Sequence, residues 1–272
     1  MARFVVVPQW QGSPSTRAMA LIDGADAIAG DLPRASSVRV EVPYEAGESL
    51  DTAVLRASTI RRVSGHVRET LDGLRHERIV VVGGDCGVAV PAIGHVAGDD
   101  LAVVWFDAHG DLHSPDTSPS GAFAGMALRA VLGGAPDGLG LAPGMITPDR
   151  VVLAGARELD PAEDEYVRGA GAHHLPADEI AQRLADALAA TGARRVYVHI
   201  DLDVLDPAHM SGVADAQPFG LEPSALVDAI VTIRRLLPLA GASISGFAPR
   251  SPDAAVDDMG AILRIIGALA KD

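Results

Sequence analysis

Short apolar runs and amphipathic segments alternate along the whole chain. The apolar runs predict strands at residues 4–8, 38–42, 78–82, 101–106, 150–154, 195–200 and 242–247. Apolar residues spaced three or four positions apart predict helices between them, at residues 15–29, 52–74, 178–190 and 254–270 and in the segments that follow Cys86, Phe123 and Pro223. Strands that alternate with helices indicate parallel βαβ units. We therefore expect an α/β fold.

The predicted strands are nearly continuous apolar runs, which is typical of a sheet that is covered on both faces. The chain contains no internal repeat, linker or low-complexity segment, so residues 1–272 are expected to form a single domain. In an open parallel sheet, ligands bind in the crevice at the carboxyl ends of the strands. Polar residues that follow strands are therefore the candidates for a functional site.

Two acidic clusters directly follow predicted strands. The first contains Asp107, His109 and Asp111, at alternate positions. In an extended strand these positions point to one side, so the three side chains are expected to converge. The second contains Asp201 and Asp203. Carboxylates and imidazole are ligands of divalent cations, and adjacent buried carboxylates need a compensating charge. The two clusters predict a two-metal site that activates a water as nucleophile.

The composition narrows the possible partners and compartment. The net charge of −14 argues against nucleic acids and anionic membranes as partners. The apolar start is too short for a signal peptide, and no run approaches the roughly 20 apolar residues of a membrane span. The single cysteine, Cys86, excludes an internal disulfide and is typical of a reducing compartment. We expect a cytoplasmic protein that acts on a small molecule.

Three motifs resemble the metal signatures of the arginase/ureohydrolase family, G-G-D-H, D-A-H-x-D and D-x-D-x-x-D-P. They fall at residues 83–86, 107–111 and 201–207, and the second and third match in full. The resemblance implies a three-layered α/β/α fold with a mainly parallel sheet of about eight strands. It also implies two Mn²⁺ ions per chain and a homo-oligomer, either a trimer or a hexamer. By this resemblance one ion is held by Cys86, Asp107, Asp111 and Asp201, and the other by Asp107, His109, Asp201 and Asp203.

Further segments indicate where an arginine-like substrate would bind. The chain has the family segment G-x-R-D/E-x-D-P-x-E at residues 155–163. The resemblance implies that Glu158, Asp160 and Glu163 lie near the α-amino group of the substrate. Ser120 keeps the family position that contacts the substrate carboxylate. Asp160 has an alternative explanation, because an acid before a proline is also typical of a helix N-terminus.

Four positions depart from the pattern of an ordinary arginase. The first metal ligand, normally His, is Cys86, and the His used for proton transfer is Ala124. The Glu that pairs with a guanidinium aligns with Gly246, and a substrate-contacting Asn is His113. One interpretation is that catalytic activity has been lost. The other is a changed substrate.

The changed-substrate hypothesis rests on charge. A thiolate in place of imidazole adds negative charge and makes its metal a weaker Lewis acid. The missing Glu removes an anion that would pair with a cationic guanidinium. Both changes suit a neutral N-hydroxyguanidine. The hypothesis is therefore hydrolysis of Nω-hydroxy-L-arginine to hydroxyurea and L-ornithine, as in the branch of the family that serves D-cycloserine biosynthesis.

In this hypothesis Asp111 hydrogen-bonds the nucleophile, and His113 is a proton donor or hydrogen-bond partner of the substrate. His113 could equally be an exposed loop residue, and His66 and His199 are expected to be structural. The alternative functions are an ordinary arginase, another ureohydrolase acting on agmatine or formimidoyl-glutamate, and a non-catalytic metal-binding relative.

Overall fold

A parallel sheet of eight strands forms the centre of the protein, in the order β2-β1-β3-β8-β7-β4-β5-β6. The computed structural model describes residues 2–74 and 77–271. All pairings between neighbouring strands of this sheet are parallel. The strands are β1 (Arg3–Val7), β2 (Ser37–Arg39), β3 (Ile79–Gly83), β4 (Leu101–Phe106), β5 (Val151–Ala154), β6 (His173–Leu175), β7 (Arg195–Asp201) and β8 (Leu239–Ser245). The predicted α/β architecture is confirmed.

Helices cover both faces of the sheet and complete the three layers. They are α1 (Ala20–Asp31), α2 (Ala57–Asp72), α3 (Ala89–Val96), α4 (Ala127–Val131), α5 (Pro161–Ala170), α6 (Ile180–Ala190), α7 (Pro223–Leu236) and α8 (Val256–Ala270). Helices α1, α6, α7 and α8 pack on one face, and α2, α3, α4 and α5 pack on the other. Among the described helices, none combines the length and apolar character that a bilayer span requires.

The strands contribute side chains alternately to the two apolar layers. In β1, Phe4 and Val6 belong to one layer, whereas Val5 and Val7 belong to the other. The same alternation holds along β4. Because successive side chains of a strand point to opposite faces, continuous apolar runs fill both layers at once.

The observed elements differ from the predicted ones at several boundaries, and two of them were not predicted. Strand β2 ends at Arg39 and not at residue 42, and β8 spans Leu239–Ser245 and not residues 242–247. Helix α1 begins at Ala20 and not at residue 15, and α2 begins at Ala57 and not at residue 52. Before α1, Ser13 and Ser15 use their hydroxyls to accept hydrogen bonds from the backbone two residues later, which competes with helix formation. Strand β6, which has only three residues, and helix α5 were not among the predicted elements.

The strand order determines where the polar clusters meet. After β3 the chain crosses over to β4, and β8 and β7 later fill the two places between them. The central strands β3, β8, β7 and β4 are therefore direct neighbours, although their sequence positions range from 79 to 245. Their carboxyl ends lie at one edge of the sheet.

The turn after β3 generates a prediction about stability. The Gly84 amide donates to the carbonyl of Val7, and a Cβ at Gly84 would lie 1.6 Å from the backbone oxygen of Gln9. We expect Gly84→Ala to lower the free energy of unfolding by at least about 3 kcal/mol, because two backbone segments must separate. Chemical denaturation measures this loss.

Gly65 is the matched control, since it lies in α2 and a Cβ there meets nothing within 4 Å. Gly65→Ala is expected to stabilise the protein by about 0.5–1 kcal/mol. Equal effects of the two substitutions would contradict the close approach at Gly84.

Candidate metal centre

The segment after β4 carries the first acidic cluster. Strand β4 ends at Phe106, so residues 107–111 are not extended as predicted. They nevertheless converge, because Asp107 and Asp111 are buried and Nδ1 of His109 lies 3.4 Å from Oδ1 of Asp107. Asp111 has a φ of 52°, in the left-handed region. Asp tolerates this conformation better than most residues, but backbone strain of this kind clusters at functional sites.

The carboxyl end of β7 carries the second cluster beside the first. Asp201 accepts a hydrogen bond from the backbone N–H of Asp203 at 3.0 Å. Oδ1 of Asp203 accepts from the Ala108 amide at 3.0 Å, and its Oδ2 lies 3.0 Å from Nδ1 of His109. Because β7 and β4 are adjacent, these contacts join the two clusters into one.

Cys86 lies within the same group of carboxylates. Its Sγ is 2.8 Å from Oδ2 of Asp201 and 3.9 Å from Oδ2 of Asp107. The short turn that positions Cys86 begins at Asp85, whose carboxylate accepts from the amides of Gly87 and Gly12 and from Nε2 of Gln9. The structure therefore brings together all six residues that the sequence predicted as metal ligands, namely Cys86, Asp107, His109, Asp111, Asp201 and Asp203.

Burial and mutual repulsion disfavour ionisation of these acids. Burial, followed by the charge of Asp203, raises the pKa of Asp201 to about 7. Burial, followed by the charge of Asp107, raises the pKa of Asp203 to about 6 and that of Asp111 well above its usual value. Burial and the neighbouring carboxylates also raise the pKa of the Cys86 thiol. The cluster is therefore unfavourable in its fully ionised form unless positive charge is added.

His109 supplies only part of that positive charge. Burial opposes its protonation, but hydrogen bonds to Asp107, Asp203 and Asp215 outweigh that effect and raise its pKa. Oδ2 of Asp111 is buried and has no hydrogen-bond partner among the described residues. A buried carboxylate oxygen without a partner is costly. The donor set of carboxylates, imidazole and thiol therefore fits divalent cations.

A cavity of about 550 Å³ opens onto this cluster. Cavities that bind small ligands are commonly about 300–1,000 Å³ in volume. The loop before α1 and the loop after β7 form part of its walls. The lining residues outside the cluster are Ser13, Pro14, Ser15, Thr16, Leu21, Asp85, His113, Ala124, Gly125, Glu163, Ala214, Asp215 and Gly246.

His113 lies in the cavity wall with both ring nitrogens engaged. Its Nε2 is 2.9 Å from Oδ2 of Asp160, and its Nδ1 is 3.2 Å from the hydroxyl of Thr117. Asp160 also caps α5 by accepting from the amides of Ala162 and Glu163. The helix-cap explanation of Asp160 thus describes its contacts, and the same carboxyl group orients an imidazole of the cavity.

Of the other residues predicted to contact the substrate, only one lines the cavity. Glu163 lines it, is buried, and accepts from the amides of Leu112 and Asp160. Ser120 and Glu158 are exposed, and neither they nor Asp160 belongs to the cavity lining.

Several residues of the site were missed in the sequence analysis. Asp215 lies 3.5 Å from Nε2 of His109, and Ser13, Ser15 and Thr16 line the cavity. Arg157 holds the loop of Asp215 in place by donating to the backbone carbonyls of Pro218, Gln217 and Asp203. No local pattern marks Asp215, because it lies in a loop and its partner is over a hundred positions away.

A sequence model of the arginase family matches residues 19–262, and the chain belongs to this family. The arginase of Bacillus subtilis is 37% identical over 148 residues, so the match spans about half the length of each chain, 49% in both cases. The N(omega)-hydroxy-L-arginine amidinohydrolase of Streptomyces lavendulae is 31% identical over 205 residues, which cover 72% of each chain.

Solved arginases have the same fold. The structure of Entamoeba histolytica arginase superimposes with a TM-score of 0.86 at 19% identity, covering 100% of this chain and 98% of that one. Bacillus caldovelox arginase gives a TM-score of 0.82 at 24% identity, covering 100% of this chain and 98% of that one. These similarities agree with the three-layered α/β/α fold.

The electrostatics of the cluster predict how stability depends on pH without metal. The pKa values of Asp201 and Asp203 are raised to about 7 and about 6 from 3.8, so the folded state binds protons more tightly than the unfolded state. The contribution of these two carboxyl groups to the free energy of unfolding then falls as pH rises from about 4 to 7. We expect the Tm of chelator-treated protein to be higher at pH 5.5 than at pH 7.5. Adding Mn²⁺ at pH 7.5 should raise it, since cations bind ionised ligands.

Two substitutions test whether the carboxylates of the cluster cause this pH dependence. Asp203→Asn should flatten the pH dependence of the Tm, whereas Asp186→Asn, at an exposed position of α6, should not. If the Tm of the metal-free protein is the same at pH 5.5 and pH 7.5, the raised pKa values of Asp201 and Asp203 are contradicted.

Proposed function

We propose that the protein is a binuclear manganese amidinohydrolase that hydrolyses Nω-hydroxy-L-arginine to hydroxyurea and L-ornithine. Six candidate metal ligands and a cavity large enough for an amino acid support a hydrolase of this family. Two departures from ordinary arginases, at residues 86 and 246, support the choice of substrate. A role in antibiotic biosynthesis, specifically of D-cycloserine, is the corresponding proposal for the pathway.

The position of Cys86 is the observation that carries the proposal. Its sulfur is buried and lies 2.8 Å from Oδ2 of Asp201, which supports a role as a ligand. A thiolate at this position adds a negative charge that a neutral imidazole does not supply. The cation beside it is then a weaker Lewis acid. Such a centre suits a substrate whose own oxygen is already a good ligand.

Gly246, which lies on the other side of Asp201 in the same cavity wall and donates its amide to the carbonyl of Gly84, supports the same substrate. Its φ is 85°, and a Cβ there would lie 2.1 Å from Oδ1 of Asp201. A glutamate at this position would collide with a proposed metal ligand and adopt a strained backbone. The cavity therefore has no acid here to pair with a cationic guanidinium. A neutral N-hydroxyguanidine needs no such partner, because the hydroxyl group lowers the basicity of the guanidine.

The similarity to the N(omega)-hydroxy-L-arginine amidinohydrolase of Streptomyces lavendulae agrees with this choice of substrate. The arginases that the chain matches are slightly more identical over somewhat shorter segments, 37% over 148 residues and 33% over 198 residues, so similarity alone does not separate the two substrates. The chemistry at residues 86 and 246 is what favours hydroxyarginine over arginine.

The residues of the chain have distinct proposed roles. One cation would be held by Cys86, Asp107, Asp111 and Asp201, and the other by Asp107, His109, Asp201 and Asp203. When bound, such cations supply Lewis-acid activation of water at neutral pH. Oδ2 of Asp111 has no partner among the described residues, so it is available to accept a hydrogen bond from the attacking water. The carboxylate of Asp215 holds the imidazole of His109 from the side away from Asp203.

The amino-acid end of the substrate is proposed to lie toward His113 and Glu163, which line the same wall. Because Asp160 and Thr117 occupy both nitrogens of His113, proton donation by this imidazole requires one of those contacts to open. Its proposed role is therefore to orient the substrate, with proton transfer as the second possibility. Ser120, Glu158 and Asp160 would reach the α-amino and carboxylate groups only in a substrate that extends past His113.

A product assay tests the proposed substrate. Mn²⁺-loaded protein is given L-arginine or Nω-hydroxy-L-arginine, and ornithine, urea and hydroxyurea are quantified. We expect hydroxyurea and ornithine from the second substrate and little urea from the first. Urea from arginine at a comparable rate would indicate an ordinary arginase. Two bound cations without ornithine from either substrate would indicate a different ureohydrolase substrate, and absence of bound cations would indicate a non-catalytic relative.

A substitution of the thiol tests the role of Cys86. Cys86→His restores an imidazole and should make the adjacent cation a stronger Lewis acid. We expect the ratio of arginine turnover to hydroxyarginine turnover to rise by about 10-fold or more, equivalent to 1.36 kcal/mol in activation free energy. Steady-state kinetics with both substrates measures this ratio.

Cys86→Ser is the control, since it keeps the size of the side chain and removes the thiolate without adding imidazole. It should lower turnover of both substrates without reversing the preference. Unchanged turnover of hydroxyarginine by Cys86→His would contradict the argument from the thiolate.

A further inference from the structure

A buried histidine lies directly beneath the cluster and has no role in the mechanism above. His199 is on β7, two residues before Asp201, so both side chains point to the same side of the sheet. It is 0% exposed, and its ring centroid lies 3.8 Å from that of Trp105. Packing against the indole holds the plane of the imidazole in one orientation.

The two ring nitrogens of His199 have unequal partners. Nδ1 lies 2.8 Å from the hydroxyl of Ser243, which is a close hydrogen bond. Nε2 lies 3.5 Å from the hydroxyl of Ser245, at the limit of hydrogen bonding. That hydroxyl also lies 3.3 Å from Oδ2 of Asp201 and 3.6 Å from Sγ of Cys86. Nε2 is therefore the nitrogen on the side of the cluster, and its lone pair lacks a close donor.

The nitrogen converges with two of the proposed metal ligands. Sγ of Cys86, a carboxylate oxygen of Asp107 and a ring nitrogen of His199 all lie within 4.8 Å of one another. Ligand atoms of one cation lie within about 4.5 Å of each other, since each bond is about 2.0–2.3 Å long. The three atoms are thus near the spacing of a shared coordination sphere.

We propose that His199 binds, through Nε2, the cation that Cys86 binds. This inference rests on the proposed binuclear centre and extends it by one ligand. Cysteine stands at residue 86 where the family signature has histidine, and His199 returns an imidazole to the same cation from β7. The position then has a sulfur and a nitrogen ligand in addition to its carboxylates.

The surroundings of His199 match those of a metal-binding histidine. Such residues donate their second ring N–H to a fixed acceptor, which sets the tautomer and the ring orientation. Ser243 is placed to accept from Nδ1 in this way. Trp105 Nε1 donates to Oδ2 of Asp107 at 3.1 Å, so the same indole orients a neighbouring ligand.

Cobalt substitution tests this assignment without relying on catalysis. The chelator-treated protein is titrated with Co²⁺ alone, and NMR detects the paramagnetically shifted imidazole N–H signals of histidines bound to Co²⁺. We expect signals from two histidines, His109 and His199, and a thiolate-to-cobalt charge-transfer band from Cys86. A wild-type spectrum with only one histidine signal would overturn the proposal, and this result needs no variant.

Variants identify which histidine gives each signal. His199→Phe keeps an aromatic ring against Trp105 and removes both nitrogens. It should lose one signal, keep the thiolate band, and lower the affinity for one Co²⁺ by at least about 10-fold. Ile200→Val is the control, because Ile200 is buried on the same strand but faces the opposite apolar layer. It should change neither the signals nor the affinity.

The outcomes also separate this inference from the proposed function. If His199→Phe keeps both signals and full Co²⁺ affinity, His199 is not a ligand, whatever the product assay gives. If two histidine signals and the thiolate band are present but no guanidino substrate is hydrolysed, the ligand assignment stands and the proposed substrate is wrong.

Discussion

Electrostatic repulsion among buried carboxylates is the constraint on which the rest of this structure depends. Asp107, Asp111, Asp201 and Asp203 are all buried in one cluster at the carboxyl edge of the sheet. No arrangement of their ionised forms is favourable in a low-dielectric site without added positive charge. The only imidazole that contacts these carboxylates among the described residues is that of His109, and an oxygen of Asp111 has no partner there. The energetic cost of this repulsion, and its relief by added positive charge, indicate a site for divalent cations.

The parallel sheet provides the rigid framework that keeps these groups close. Strands β3, β8, β7 and β4 are neighbours, and their ladders prevent the carboxylates from moving apart. The same framework places Gly246 against Asp201, where a side chain would not fit. The differences from ordinary arginases at residues 86 and 246 thus affect a single carboxylate, Asp201. They are best understood as coupled changes to one electrostatic site.

Two side chains at the start of α5 both stabilise that helix and shape the adjacent wall of the cavity. Asp160 and Glu163 form a capping box at the start of this helix, and they also surround His113. A substitution at either acid would therefore affect both the helix and the cavity. This sharing explains how an acid that looks like an ordinary helix cap can also determine how an imidazole is presented to a ligand.

The sequence by itself determined the order of strands and helices and the existence of the acidic cluster. Seven strands follow from apolar runs, and their carboxyl ends must meet in a parallel sheet. Among the strands and α-helices of the described residues, β6 and α5 were missed. Strand β6 has three residues, too few for a detectable periodicity. The tertiary structure alone decided the partners of His113, His199 and Asp215. Those contacts join segments that are distant in the chain, and their geometry depends on strand order and loop packing, which no local pattern contains.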